Sequence, residues 1–237
     1  PPLCNTPKSV SAEERQQYLA AMGIDLWVRR AGHPAPAGAE PAPAVSAAAG
    51  ADSAQPDWPA LQAAVAACTR CRLHAGRTQT VFGVGSRSAQ WLFVGEAPGA
   101  EEDRQGEPFV GRAGQLLNSM LFALGLKRED VFICNILKCR PPDNRDPQDD
   151  EAAACEPFLV RQIELIRPKL IVALGRHAVH SLLKTDQALA RLRGQRLSYH
   201  GTPLVVTYHP AYLLRSPLEK RKAWEDLCLA KSVWAAS

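Results

Sequence analysis

The chain has 237 residues, a formal net charge of +4, 46% hydrophobic residues and seven cysteines. This length and apolar content suit one core of ordinary size with appendages, and no apolar run is long enough for a bilayer span. The mild positive charge permits a polyanionic partner without demanding one, and an odd cysteine count argues against a complete disulfide framework.

The chain opens on Pro1-Pro2-Leu3-Cys4-Asn5, which has no apolar stretch of signal-peptide type, so a cytoplasmic protein is expected. Ser11 and Glu14 read as a capping box that starts a helix running to about Met22, with Gly23 suited to its left-handed end. Residues 1–30 are therefore expected to form a helical appendage. Residues 31–56 are almost wholly Ala, Pro, Gly and small polar residues, which cannot bury enough apolar surface to offset the entropy of ordering, so a disordered, flexible linker is expected there. From residue 57 to 237 the pattern becomes β–α alternation. Apolar runs at 91–94, 131–137, 170–174 and 204–208 are separated or followed by helix-like segments at 114–126, 149–166, 177–183 and 219–233. Continuous rather than alternating apolar character suits strands covered on both faces, which predicts a doubly wound α/β domain.

Ligands of such sheets bind beyond the carboxyl ends of the strands. Glu96 follows the first run, Asn135 lies near the end of the second, and His209 follows the fourth. A carboxylate, an amide and an imidazole are thus expected at one rim. Singly each has a plainer role, as a helix cap, a local backbone partner or a satisfied rim histidine. Cys68 and Cys71 form a Cys-x-x-Cys loop, with Cys139 and Cys155 as distant single partners, a pattern that suits one zinc or iron–sulfur centre. Unrelated small hydrophobes and a redox dithiol are the competing readings. Arg104, Arg112, Lys138, Arg140 and Arg145 cluster near these motifs, and Arg215, Lys220, Arg221 and Lys222 follow the last one, giving weak support for phosphate contacts.

Six blocks now stand in order: Cys68/Cys71 in ACTRCRL, GEAPG at 95–99, GEPFVGRAGQLLN at 106–118, Asn135 with KCRPP at 138–142, Cys155, and HPAYLLR at 209–215. Over about residues 61–235 the chain resembles the family 4, iron–sulfur-containing uracil-DNA glycosylases. The resemblance implies a three-layer α/β/α sandwich on a four-stranded parallel sheet and a [4Fe–4S] cluster held by Cys68, Cys71, Cys139 and Cys155. Cys134, mid-strand among apolar neighbours, is the competing ligand but suits a core position better, and Cys4 and Cys228 have no suitable spacing. It further implies a monomeric repair enzyme that hydrolyses the bond between uracil and deoxyribose in single- or double-stranded DNA and leaves an abasic site.

The roles implied are specific. Glu96 acts on water at the sugar carbon and offsets its positive charge, and His209 donates to O2 of the departing base. The Ala97 amide adds a donor, Asn135 reads O4 and N3–H, and Phe109 stacks on the extruded base. Phe109 on its own would be ordinary core. Tyr212, Leu213 or Leu214 is expected to fill the vacated stack while Arg215 meets phosphate. Glu-Ala stands where family 1 enzymes have Gln-Asp, so the two carboxylates need not work identically. A non-catalytic metal-containing nucleic-acid module explains the cysteines but not the rim, and an electron carrier would need a docking face. A sugar-cross-linking relative would carry a basic loop ending in histidine, and none is present between Gly99 and Gly111.

Overall fold

A computed structural model describes residues 57–236. The expected helix at 11–22 and the Ala/Pro-rich stretch 31–56 lie outside the described residues. Asp57 caps α1 (Trp58–Ala66): its carboxylate accepts from the Ala60 amide at 3.0 Å, and Pro59 sits in the first turn, where a missing N–H goes unmissed. The remaining elements in chain order are β1 (Val84–Gly85), β2 (Trp91–Gly95), α2 (Ala100–Gln105), α3 (Arg112–Leu124), β3 (Phe132–Asn135), α4 (Asp149–Ile166), β4 (Leu170–Leu174), α5 (Arg176–Leu183), α6 (Leu189–Leu192), β5 (Leu197–Tyr199), β6 (Thr202–Thr207), α7 (Pro210–Arg215) and α8 (Lys220–Ala235).

The sheet runs β1-β3-β2-β4-β6-β5. Its four central strands pair in parallel, with Gly95 level with Asn135, Phe93 with Val172 and Val172 with Val205. Each of the four expected strands is present. The two edge strands, β1 and β5, pair antiparallel and were not anticipated, because they are too short to leave a pattern in the sequence. Successive side chains of the central strands point to opposite faces. Leu92, Val94, Phe132, Cys134, Ile171, Ala173, Leu204 and Val206 share one core with residues of α1, α4, α5 and α6. Trp91, Phe93, Ile133, Leu170, Val172 and Val205 share the other with α3 and α8. Three layers result, and Cys134 lies in the first core as a small hydrophobe. Among the described residues no helix is long and apolar enough to cross a membrane.

Leu117 of α3 is fully buried in the second core, on the side of the sheet opposite Cys139 and Cys155. Leu117→Ala should lower unfolding free energy by about 2–5 kcal/mol through lost transfer energy and a residual cavity. Urea denaturation, followed alongside the metal content of the folded fraction, checks this; the metal content should stay at the parental level.

Candidate active site and thiol cluster

The loops leaving the four parallel strands enclose a cavity of about 800 Å³. Glu96, Ala97, Phe109, Asn135 and His209 all line it, with Tyr212 and Arg215 at its edge. The β2–β3 pairing continues past the strands: the Ile136 amide donates to Gly95 O at 3.0 Å and the Leu137 amide to Glu96 O at 3.1 Å. The carboxylate of Glu96 and the amide of Asn135 therefore leave neighbouring, rigidly paired backbones.

Asn135 is 2% exposed, and its Oδ1 has no hydrogen-bond partner among the described residues. A buried acceptor in that condition is costly unless something completes it. Beside it lies the ring of Phe109, whose backbone is held at φ 54°, a left-handed conformation unusual for a bulky residue. The strain is accommodated by Gly114, where a Cβ would fall 1.7 Å from the Phe109 carbonyl oxygen. Glu102 fixes the same loop from below. Its carboxylate accepts from the amides of Gly99 and Val110, each at 3.1 Å, and Gly111 at 3.3 Å, tying GEAPG to GEPFVG.

His209 precedes α7 as its cap. Its Nδ1 accepts from the Ala211 amide at 3.2 Å, which leaves the ring proton on Nε2. Burial, with Arg215 and His177 adding to it, pushes the imidazole down to about 4, so it is a neutral donor at physiological pH. Its ring stands 5.5 Å from that of Phe109. The half-buried Glu96 moves the other way. Burial and then the nearby Asp146 carboxylate raise its carboxyl to about 7, and Arg176 opposes them. A cavity that holds an uncharged imidazole donor and a carboxyl poised near neutrality is equipped for acid–base work and for stabilising a developing anion.

The four cysteines also converge. Cys68, Cys71, Cys139 and Cys155 line one pocket with Arg77, Lys138 and Phe158. Burial pushes the Cys139 thiol up against the opposing Arg77 and the Cys155 thiol to about 11 against Lys138. Arg77 donates to Cys139 Sγ at 3.1 Å and the Lys138 amide to Cys155 Sγ at 3.3 Å, so both sulfurs already carry the outer hydrogen bonds that orient thiolate ligands.

Several expectations change. Lys138 is no phosphate ligand: it is 1% exposed, and its ammonium donates to Asn135 O at 2.8 Å and Gln162 Oε1 at 2.7 Å. Arg145 is taken up by the fully buried Glu151, and Arg104 by Glu101. Leu213 cannot wedge into a base stack, being 1% exposed in the core beneath α7. Tyr212 and Arg215 are exposed and Leu214 is half-buried. Asp146, Arg176, His177 and Tyr208 line the cavity and were missed. The strand-end rule would have found Arg176 and His177, since they directly follow β4; applied to β2, β3 and β6 alone, it passed them by.

Residues 82–229 match the uracil DNA glycosylase superfamily. The chain is 47% identical over 169 residues, 70% of its own length and 88% of the relative's, to a type-4 uracil-DNA glycosylase of Thermotoga maritima. It is 46% identical over 168 residues, 67% of its length and 78% of the relative's, to the type-4 uracil-DNA glycosylase of Saccharolobus solfataricus. To that of Archaeoglobus fulgidus it is 45% identical over 170 residues, 68% and 85% of the two lengths.

The state of His209 can be observed directly. Nitrogen-15 chemical shifts should show the Nε2–H tautomer at pH 7 and a titration midpoint near 4. Because the unfolded imidazole takes its proton near 6.5, folding stability should fall as pH drops from that value to about 4, by roughly 3 kcal/mol in all from this group. A ring that titrates at its ordinary value would contradict the assignment.

Proposed function

This chain belongs to the uracil DNA glycosylase superfamily, in its type-4 branch, and excises uracil from DNA; we propose that Glu96, Asn135, Phe109 and His209 carry out the excision. The observation that supports this most is the buried Oδ1 of Asn135, without a hydrogen-bond partner among the described residues, on the same cavity as a neutral Nε2–H imidazole and a half-buried carboxyl.

The base leaves the duplex to reach the cavity and stacks on Phe109. Asn135 accepts from N3–H of uracil through Oδ1 and donates to O4 through its amide nitrogen, whereas cytosine presents the reverse pattern. Cleavage of the N1–C1′ bond sends its electron pair to the base and leaves positive charge on the sugar. His209 donates from Nε2 to O2, where the negative charge gathers, and the Ala97 amide adds a second donor. Since the imidazole is already neutral, it stabilises the anion without first giving up a charge. Ionised Glu96 offsets the sugar cation and takes a proton from water as that water's oxygen bonds to C1′. The departing uracil anion takes up a proton from solvent and Glu96 releases the one it took from water, so the products are free uracil and an abasic site. Tyr212 and Leu214 face the DNA with Arg215, while Leu213 anchors α7 from inside.

Cys68, Cys71, Cys139 and Cys155 would hold a [4Fe–4S] cluster. The convergence of all four thiols on one pocket, with Arg77 and the Lys138 amide donating to two of the sulfurs, supports a four-thiolate centre, and the likeness to type-4 uracil-DNA glycosylases supports iron–sulfur over zinc. When bound, the group supplies four iron–thiolate bonds that tie the Cys68/Cys71 loop to the segment after β3 and to α4. The glycosylase unit is residues 57–237, and it acts as a monomer in the cytoplasm, on uracil in single- or double-stranded DNA.

His209→Ala should slow single-turnover excision by roughly 10²–10³-fold with little change in affinity for uracil-containing DNA, since the lost donor serves charge that appears only in the transition state. Glu96→Gln should reduce the same step, and in the parent the rate should fall as pH drops through about 7, where Glu96 takes up its proton. Parental rates from both variants would refute the assignment.

Cys139→Ala should abolish iron and sulfide and lower stability, because the cluster's binding energy is folding energy. Cys134→Ala should keep four irons per chain. Iron analysis and visible absorbance after anaerobic purification distinguish these outcomes, and stoichiometric zinc in the parent would overturn the cluster.

A further inference from the structure

We propose that Asp146 is a positioning residue for Glu96 and, together with Arg176, governs whether Glu96 is ionised during excision. The inference rests on the role given to Glu96 above. One ligand atom each from Glu96, Asp146 and His177 lies within 4.8 Å of the other two. Asp146 comes from the loop that precedes α4, and Arg176 and His177 open α5. Arg176 stands 3.3 Å from Asp146 Oδ2 and donates to His177 Nε2 at 2.9 Å, while that nitrogen is 3.2 Å from the same carboxylate.

Two carboxylates this close cannot both ionise without mutual repulsion, and the proton goes to the one less able to hold charge. Asp146 is exposed and has Arg176 and His177 against it. Glu96 is half-buried, so it takes the proton. The other charged or titratable groups on this cavity are Glu102 of α2, whose carboxylate is taken up by three backbone amides, the neutral His209, Arg145, Tyr208, and Tyr212 and Arg215 of α7. None of them is a second carboxylate set against Glu96. Burial lowers His177's proton affinity, which keeps it neutral and leaves Arg176 as the standing positive charge beside the pair. Asp146 and Arg176 thus act on Glu96 with opposite signs, and the acid side of the rate profile should report both.

The test uses the full chain with its metal content verified, under single-turnover conditions with enzyme saturating over a uracil-containing oligonucleotide, from pH 5 to 9. Each rate is normalised to its own alkaline plateau. At pH 6 Asp146→Asn should be roughly threefold faster than the parent, its midpoint having moved down by about half a pH unit. Arg176→Met should move the midpoint up. A midpoint unchanged in Asp146→Asn overturns the proposal, even if that variant is slower at every pH, because uniform loss is what a purely structural role would give. Carbon-13 titration of the Glu96 carboxyl in parent and variants gives the same comparison without turnover. A carboxyl that shifts while the excision midpoint stays also overturns it. If the parent cut no uracil at any pH, the function proposed above would fall, while the carbon titration would still decide whether Asp146 sets the state of Glu96.

Discussion

The site is organised around the absence of a side chain at Gly95. A Cβ there would stand 2.4 Å from Asn135 Oδ1 and 2.6 Å from the Phe109 ring, distances that neither group can relieve without leaving the cavity. The last residue of β2 is thus the floor on which the Asn135 amide and the Phe109 ring both rest. Gly175, at the end of β4, does the same for His209: its φ of 89° suits glycine, and a Cβ would approach His209 Cβ to 2.8 Å. Site side chains packed directly on sheet backbone have little room to move, which is what preorganised donors require.

Behind this floor, Lys138 joins the thiol cluster and Asn135 into one body. Its ammonium bonds Asn135 O and Gln162 Oε1, its backbone amide bonds Cys155 Sγ, and Gln162 in turn donates to Phe82 O at 2.9 Å. A buried ammonium is tolerated only where acceptors replace its water, and here β3 and α4 supply them, with the loop before β1 holding Gln162 in place. The thiol cluster sits one residue beyond this hub, at Cys139. A group bound there would therefore act on Asn135 by holding its strand end in place.

Electrostatically the cavity works by withholding charge. Burial drives the Glu96 carboxyl up and the His209 imidazole down, so two groups that would carry opposite charges in water both tend toward neutrality. Positive charge remains on Arg215, where a polyanion would meet it, while Arg176 is shared with the Asp146 carboxylate. Arg104, Arg145 and Lys138, equally basic in the sequence, are consumed by carboxylates or carbonyls.

The central sheet was legible in the sequence because buried parallel strands must be continuously apolar, and the convergence of Glu96, Asn135 and His209 followed from the rule that such strands expose their carboxyl ends on one side. The bounds of α4 and β4 agree with the expected segments for the same reason: a Glu151 capping box and uninterrupted Leu-Ile-Val-Ala-Leu are local signals. The cysteine set was visible as spacing, and the metal it suits was not, since zinc and iron clusters accept the same thiolates. Tertiary structure alone decided what depends on neighbours distant in the chain. It buried Lys138 and Leu213, whose residue types say only that one is charged and the other apolar. It fixed the His209 proton on Nε2 through the Ala211 amide, and it set Asp146 beside Glu96 across a gap of fifty positions. A sequence carries residue types and their periods; which carboxylate shares a proton, and which lysine meets no water, are properties of the packing that brings them together.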